Sequence, residues 1–194
     1  MAKRFAKRQD VNVVHCWRPG RLLELRITKG RCSDLYVLCG YAPNDKTNPN
    51  ALTAGKDAFF VRCARALGAM PNRCAIAMLV DANGGMEGAL PHVGHASSRG
   101  RQRCRWMDNG RRLYDLLEQY ELRATNTFGW AGGTSSTWRS PDGKSETRID
   151  YVVTRMGQGA RDRAHVLRNV PVALGFSRDH MIVEAEVCVR LPST

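Results

Sequence analysis

The sequence predicts an α/β fold in which two β-sheets pack as a sandwich with helices on the outside. Three observations predict it. Strand-like and helix-like apolar patterns alternate as far as Tyr120, strand-like patterns dominate after it, and no linker, internal repeat or low-complexity tract divides the chain. A length of 194 residues with 43% hydrophobic content suffices for one substantial core, so a single domain over residues 1–194 is expected.

Arg21-Leu-Leu-Glu-Leu-Arg-Ile27 alternates in part and Leu35-Tyr-Val-Leu-Cys39 is short and continuous, so both read as strands joined by a turn around Lys29-Gly30. From Asn50 to Leu67 the spacing of Leu52, Phe59, Phe60, Cys63 and Leu67 is that of an amphipathic helix, ended by a turn at Pro71-Asn72. Ala75-Ile-Ala-Met-Leu-Val80 is apolar without alternation, the pattern of a strand covered on both faces. It stops at Asp81-Ala-Asn-Gly-Gly85. A Gly, His, Ser and Arg-rich loop from Gly84 to Arg103 comes next, then a helix whose Trp106, Leu113, Leu116, Leu117 and Tyr120 share one stripe. Strands are expected over Leu122 to Thr127, Ser136 to Arg139, Thr147 to Thr154, His165 to Val172 and Met181 to Val189, with a hairpin turn at Pro141-Asp-Gly143.

No apolar run is long enough to span a membrane, and the basic start through Arg8 leads into no apolar signal segment. A soluble, intracellular protein, nuclear or cytoplasmic, is expected. Lys3 to Arg8 reads either as an import signal or as a solvated chain end. Seven cysteines without a Cys-x-x-Cys pair read as reduced, mostly buried thiols. His92 and His95 form a His-x-x-His without a strong third ligand, so a loop competes with a metal site there.

The formal charge is +12, and 24 of the 30 basic residues are arginine. A polyanion is the matching partner class, since arginine forks phosphate oxygens through paired hydrogen bonds. A GC-rich genome also writes Arg for Lys, so only placement near a site decides. Arg99, Arg101, Arg103, Arg105, Arg111 and Arg112 read either as a phosphate-binding face or as a solvated helix end.

Four polar clusters sit at predicted strand ends: Tyr41 with Asn44, Asp81 with Asn83, Arg148 with Asp150, and Asp179 with His180. Together they supply carboxylates for a hard cation, an imidazole, a carboxylate to orient it and neutral donors for a phosphate, which is what metal-assisted phosphodiester hydrolysis needs. In order and flanks, Tyr41-Ala-Pro-Asn44, Val80-Asp-Ala-Asn83, Arg148-Ile-Asp-Tyr151 and Arg178-Asp-His180 resemble the motifs of the endonuclease/exonuclease/phosphatase family across nearly the whole chain. Thr137-Trp-Arg-Ser-Pro-Asp-Gly143 followed by Arg148-Ile-Asp-Tyr151 resembles the endonucleases of non-LTR retrotransposons and cellular relatives of the craniofacial development protein 2 kind.

The resemblance implies a four-layer, DNase I-like sandwich and a metal-dependent DNA endonuclease. Mg²⁺ is the expected cofactor with Mn²⁺ as a second candidate, and DNA is the expected partner with RNA as a second. It implies that His180 contacts the scissile phosphate or moves a proton, that Asp150 holds its ring, and that Asp81 activates or orients the attacking water. Asn83 places that water, Tyr41 and Asn44 hold phosphate oxygens, and Asp179 serves a metal site with Asp81 and Asn83. Arg178, Trp138 and Arg139 are further substrate contacts on this reading. Two departures stand against it. The family's opening strands, with an Asn and the principal metal-binding Glu, find no counterpart before Arg21, and Glu24 falls inside a later strand. Arg178 also replaces the family's Ser beside Asp-His. The chain is therefore expected to lack N-terminal strands and to nick DNA weakly or not at all. An inactive remnant that binds nucleic acid, and a phosphoesterase of another substrate, are the competing readings.

Overall fold

The computed structural model describes residues 11–17, 20–29, 33–44, 49–72, 74–95, 107–131, 136–158, 163–167 and 179–189. In chain order the elements are β1 (Val11–Trp17), β2 (Leu22–Lys29), β3 (Ser33–Tyr41), α1 (Pro49–Gly68), β4 (Ala75–Asp81), α2 (Asp108–Gln119), β5 (Leu122–Ala124), β6 (Trp138–Arg139), β7 (Glu146–Thr147), β8 (Asp150–Arg155), β9 (Arg163–Leu167) and β10 (Ile182–Glu186). A six-stranded sheet runs in the order β1-β2-β3-β4-β8-β5, and β6-β7 and β9-β10 form two separate ladders. β3 and β4 are parallel and α1 is the crossover between them, as a parallel pair requires.

The alternation of each strand divides the sheet into two faces. Leu22, Tyr36, Leu38, Ile76, Met78, Val80, Tyr151 and Val153 point to one face, where Phe59, Phe60, Cys63 and Leu67 of α1 and Leu113, Leu116 and Leu117 of α2 close a continuous core. Of the stripes read from the sequence, Phe59, Phe60, Cys63 and Leu67 of α1 and Leu113, Leu116 and Leu117 of α2 are buried and Tyr120 packs partly buried against them; Trp106 and the Leu52 side chain lie outside the described residues. On the opposite face Leu23, Leu25, Leu35, Val37 and Cys39 are only half-buried and Leu79 is 42% exposed. β9-β10 and two 3-10 turns, Thr125–Thr127 and Gly129–Ala131, lie by β8 at the other end of the sheet.

Several elements differ from expectation, each for a local reason. β1 pairs antiparallel with β2, with a register shift between Val13 and His15, although no periodicity marked it. The strand expected over Thr147 to Thr154 is broken at Arg148 and Ile149, because the Thr137 hydroxyl accepts the backbone N–H of both Ile149 (3.1 Å) and Asp150 (3.0 Å). The strand expected from Leu122 ends at Ala124, where the Thr127 hydroxyl returns to the Ala124 carbonyl at 2.5 Å and a 3-10 turn begins. β9 opens at Arg163 instead of His165 and β10 ends at Glu186 instead of Val189; residues 168–178, which include the rest of the strand expected as far as Val172, lie outside the described residues, as do Lys3 to Arg8. Cys63 and Cys74 are buried free thiols, and Cys39 and Cys188 are half-buried free thiols. His92 is buried with its Nδ1 2.7 Å from the Leu122 carbonyl and its ring edge-on to Tyr114, while the neighbouring His95 is exposed. Among the described residues no helix is long and apolar enough to cross a membrane.

Candidate active site

Three of the strand-end residues are brought together by sheet register alone. Tyr41 ends β3 opposite Asp81 at the end of β4, and Asp81 is in turn opposite Asp150 at the start of β8. Because the register places neighbouring strands side by side, residues far apart in sequence meet at one sheet edge. His180 arrives from another layer: a bridge pairs it with Trp138 of β6, with the Arg139 N–H donating to the Asp179 carbonyl (2.7 Å) and the Met181 N–H to that of Thr137 (2.7 Å).

The His180 Nδ1 lies 3.2 Å from the Asp150 Oδ2, and its Nε2 lies 4.0 Å from the Asp81 Oδ2. The imidazole thus bridges two carboxylates. Its hydrogen bond to Asp150 raises the His180 pKa against the opposing effect of burial, and the charges of Asp150, Asp81 and Asp179 add to the rise. Asp81 is pushed up to about 6, chiefly by burial; the Asn83 N–H on its Oδ1 (2.9 Å) pulls the other way, and the nearby Asp150 charge pushes with burial. One ligand atom each from Asp81, Asp150 and His180 comes within 4.8 Å of the others, a spacing that suits a divalent cation.

The loops around this group are tied down by groups the sequence reading did not single out. Asn126, whose flanks carry no recognisable pattern, donates to the Asp150 carbonyl (3.0 Å) and accepts from the Val152 N–H (3.1 Å), fixing the start of β8 from the side. The Tyr151 hydroxyl accepts from the Met86 N–H (3.0 Å) and has the carbonyls of Gly84 (3.2 Å) and Arg148 (3.0 Å) to receive its proton. Asn109 of α2 donates to the Pro43 carbonyl (3.1 Å) and so holds the Tyr41-to-Asn44 loop. The loop after Asp81 packs directly on the start of α2. A Cβ on Gly110 would lie 2.0 Å from the Gly85 carbonyl oxygen, and one on Gly84 would lie 2.5 Å from the Gly110 nitrogen. Those glycines permit a backbone-to-backbone approach that no other residue allows.

Asn83, at φ 47°, donates through Nδ2 to the Ala42 carbonyl (2.8 Å) and accepts from Asn44 Nδ2 (3.1 Å). Each of these amide NH₂ groups has a second hydrogen. Tyr41 is 49% exposed with the Arg21 guanidinium 5.0 Å above its ring. Asp179 is outside the group of converging ligand atoms, although its charge acts on both Asp81 and His180. Trp138 is half-buried on β6 and Arg139 is paired with Glu146 across the β6-β7 hairpin, so that guanidinium is already committed. Arg112, one of the arginines of the expected phosphate-binding face, is paired with Asp57 and Asp108. Arg111 is exposed; Arg99, Arg101, Arg103, Arg105 and Arg178 lie outside the described residues.

No family model matches the chain, and no curated protein matches it. Solved structures do. The chain is similar to the 3′ phosphatase NExo from Neisseria bound to a product DNA hairpin, at a TM-score of 0.63 and 17% identity, over 93% of this chain and 71% of that one. It is similar to the catalytic domain of APE2 from Xenopus laevis at 0.59 and 18%, over 90% of this chain and 57% of that one. The AP endonuclease LMAP from Leishmania major gives 0.55 and 15%, over 84% and 53%. These likenesses show that the fold is DNase I-like, and the chain spans between about half and seven-tenths of the length of these neighbours.

Proposed function

We propose that this chain belongs to a metal-assisted phosphodiesterase that cuts DNA, of the retrotransposon endonuclease type. The observation that carries the reading is the convergence of Asp81, Asp150 and His180, with Tyr41 beside Asp81, at one edge of the sheet. The Trp138-to-Glu146 hairpin beside His180, the Arg-dominated charge of +12 and the DNA bound to the Neisseria neighbour favour DNA over a small phosphoester.

Asp81 and Asp150 are the carboxylates that would hold Mg²⁺ or Mn²⁺, and the remaining ligands would come from the substrate and from solvent. The bound cation supplies charge neutralisation at the phosphate and activation of a phosphoryl oxygen. The rest falls to the protein. Asp150 holds the His180 ring through Nδ1, which leaves Nε2 to face a non-bridging phosphate oxygen and, when the ring is protonated, to donate to it as negative charge builds there. Asp81 Oδ2, on the side that faces His180, would orient the attacking water beside the cation. The second hydrogens of Asn44 and Asn83 and the exposed Tyr41 hydroxyl donate to the same phosphate.

A second reading is supported by the half-covered sheet face at Leu79, Val37 and Leu25, which leaves that layer of the core incomplete: a scaffold that binds DNA without cutting it. Plasmid nicking separates the two. The first reading expects Mg²⁺-dependent nicking that EDTA abolishes and that falls at least about 100-fold in His180→Ala, the scale of a lost electrostatic contact to the transition state. Nicking that persists unchanged in His180→Ala refutes it, and DNA binding with no nicking selects the second.

A further inference from the structure

Outside the carboxylate and histidine group, the surface feature with the most specific chemistry is Trp130. This indole is 53% exposed, although tryptophan is among the more buried residue types on average. Its orientation is fixed. The Arg123 guanidinium stacks over the ring at 4.9 Å, and Phe128 packs at 5.4 Å between centroids with an interplanar angle of 37°.

The platform is anchored to the strand that carries Asp150. β5 runs antiparallel to β8 with Arg123 opposite Thr154 and Ala124 opposite Val153, so the chain from β5 onward travels toward the Asp150 end. There the Thr125 hydroxyl meets that of Thr154 at 2.8 Å, and Asn126 bridges the Asp150 carbonyl and the Val152 N–H. Thr154 and Asp150 are an even number of residues apart on one strand, so Arg123, Thr154 and Asp150 share one face of the sheet. Trp130 is four residues beyond Asn126, a reach of at most about 14 Å. On the inner side, the Gly94 N–H donates to the Thr127 hydroxyl (2.7 Å), and a Cβ on Gly94 would lie 2.8 Å from Phe128, so the turn is wedged in place. β9, which packs against the same turns, opens with the exposed Arg163.

We infer that Trp130, backed by Arg123 and Phe128, is a stacking platform for one unpaired base of a DNA strand whose phosphate lies at the Asp81, Asp150 and His180 group. An indole packed on Arg123 and Phe128 that still leaves half its surface exposed accepts any base through stacking on what remains open. A duplex keeps its bases stacked on one another and has none to offer. The platform therefore selects single-stranded, overhanging or locally opened DNA. This inference rests on the reading of the site as one that takes DNA.

The test is fluorescence anisotropy in EDTA, so that nothing is cut, with a labelled single-stranded oligonucleotide and a blunt duplex of the same sequence. Trp130→Ala is expected to weaken single-strand binding about tenfold, the scale of one base stack, while Trp130→Phe loses less than about threefold and duplex binding stays within about twofold for both. A 2-aminopurine moved along the strand is expected to be quenched at one position in the wild type and not in Trp130→Ala. Equal losses on both DNAs, or none on the single strand, overturn the inference while leaving the DNA reading intact. A wild-type protein that binds neither DNA overturns both.

Discussion

Asp81→Asn is expected to make the folded chain more stable at neutral pH while removing any cutting activity. In the metal-free protein the Asp81 carboxyl is held at about 6 instead of 3.8, mainly because it is buried, with Asp150 adding repulsion. The folded state therefore holds this proton more tightly than the unfolded state does. The stability linked to that proton is fully present below about pH 4 and is lost as the pH rises through about 6. By pH 7.5 the loss is the full difference, about 3 kcal/mol at about 1.4 kcal/mol for each pH unit. An asparagine carries no charge to desolvate and its Oδ1 can still accept the Asn83 N–H, but it gives up the attraction of His180. A net gain of about 1–3 kcal/mol at pH 7.5 is expected, which at 194 residues is roughly 2–4 °C in Tm per kcal/mol. The assay is thermal unfolding in EDTA at pH 7.5 and at pH 4.5, where the folded carboxyl is mostly neutral but the unfolded one is still largely ionised, so that about 1 kcal/mol of the linked loss remains and the gain should shrink to about a third. A variant less stable than wild type at pH 7.5, or a gain of the same size at both pH values, refutes the argument that a buried charge at Asp81 is what the fold bears.

The same carboxyl sets the pH dependence of cation binding, since the ion requires it deprotonated: Mn²⁺ affinity followed by titration calorimetry should fall about tenfold per pH unit below about 6 and level off above it, and a flat profile would place the ion elsewhere. Gly110→Ala should cost about 1–3 kcal/mol in denaturant unfolding, although alanine is the better helix former, because its Cβ would meet the Gly85 carbonyl at 2.0 Å and push the Asp81 loop off α2. Wild-type stability in that variant would mean that the loop and the helix do not meet as described.

The sequence by itself determined the parts of this protein whose cause is local. The apolar run from Ala75 to Val80 became an interior strand, covered on both faces except at Leu79, and the stripes at Phe59, Cys63 and Leu67 and at Leu113, Leu116 and Leu117 became the buried faces they described. The polar residues Tyr41, Asp81 and Asp150 were legible because they interrupt or end such runs, and a polar group at the end of a buried strand must face solvent or a site. Tertiary structure alone decided what depends on partners far away in the chain. β1 had no legible pattern and exists through its pairing with β2. Thr137 breaks the ladder before Asp150, and Asn126 clamps the start of β8, through hydrogen bonds to residues twelve or more positions away. Arg112 and Arg139 each pair with a carboxylate that the sequence could not assign to it. Asp150, rather than Asp179, joins Asp81 and His180, because strand register fixes which side chains share an edge, and register is a property of the assembled sheet and not of any one strand.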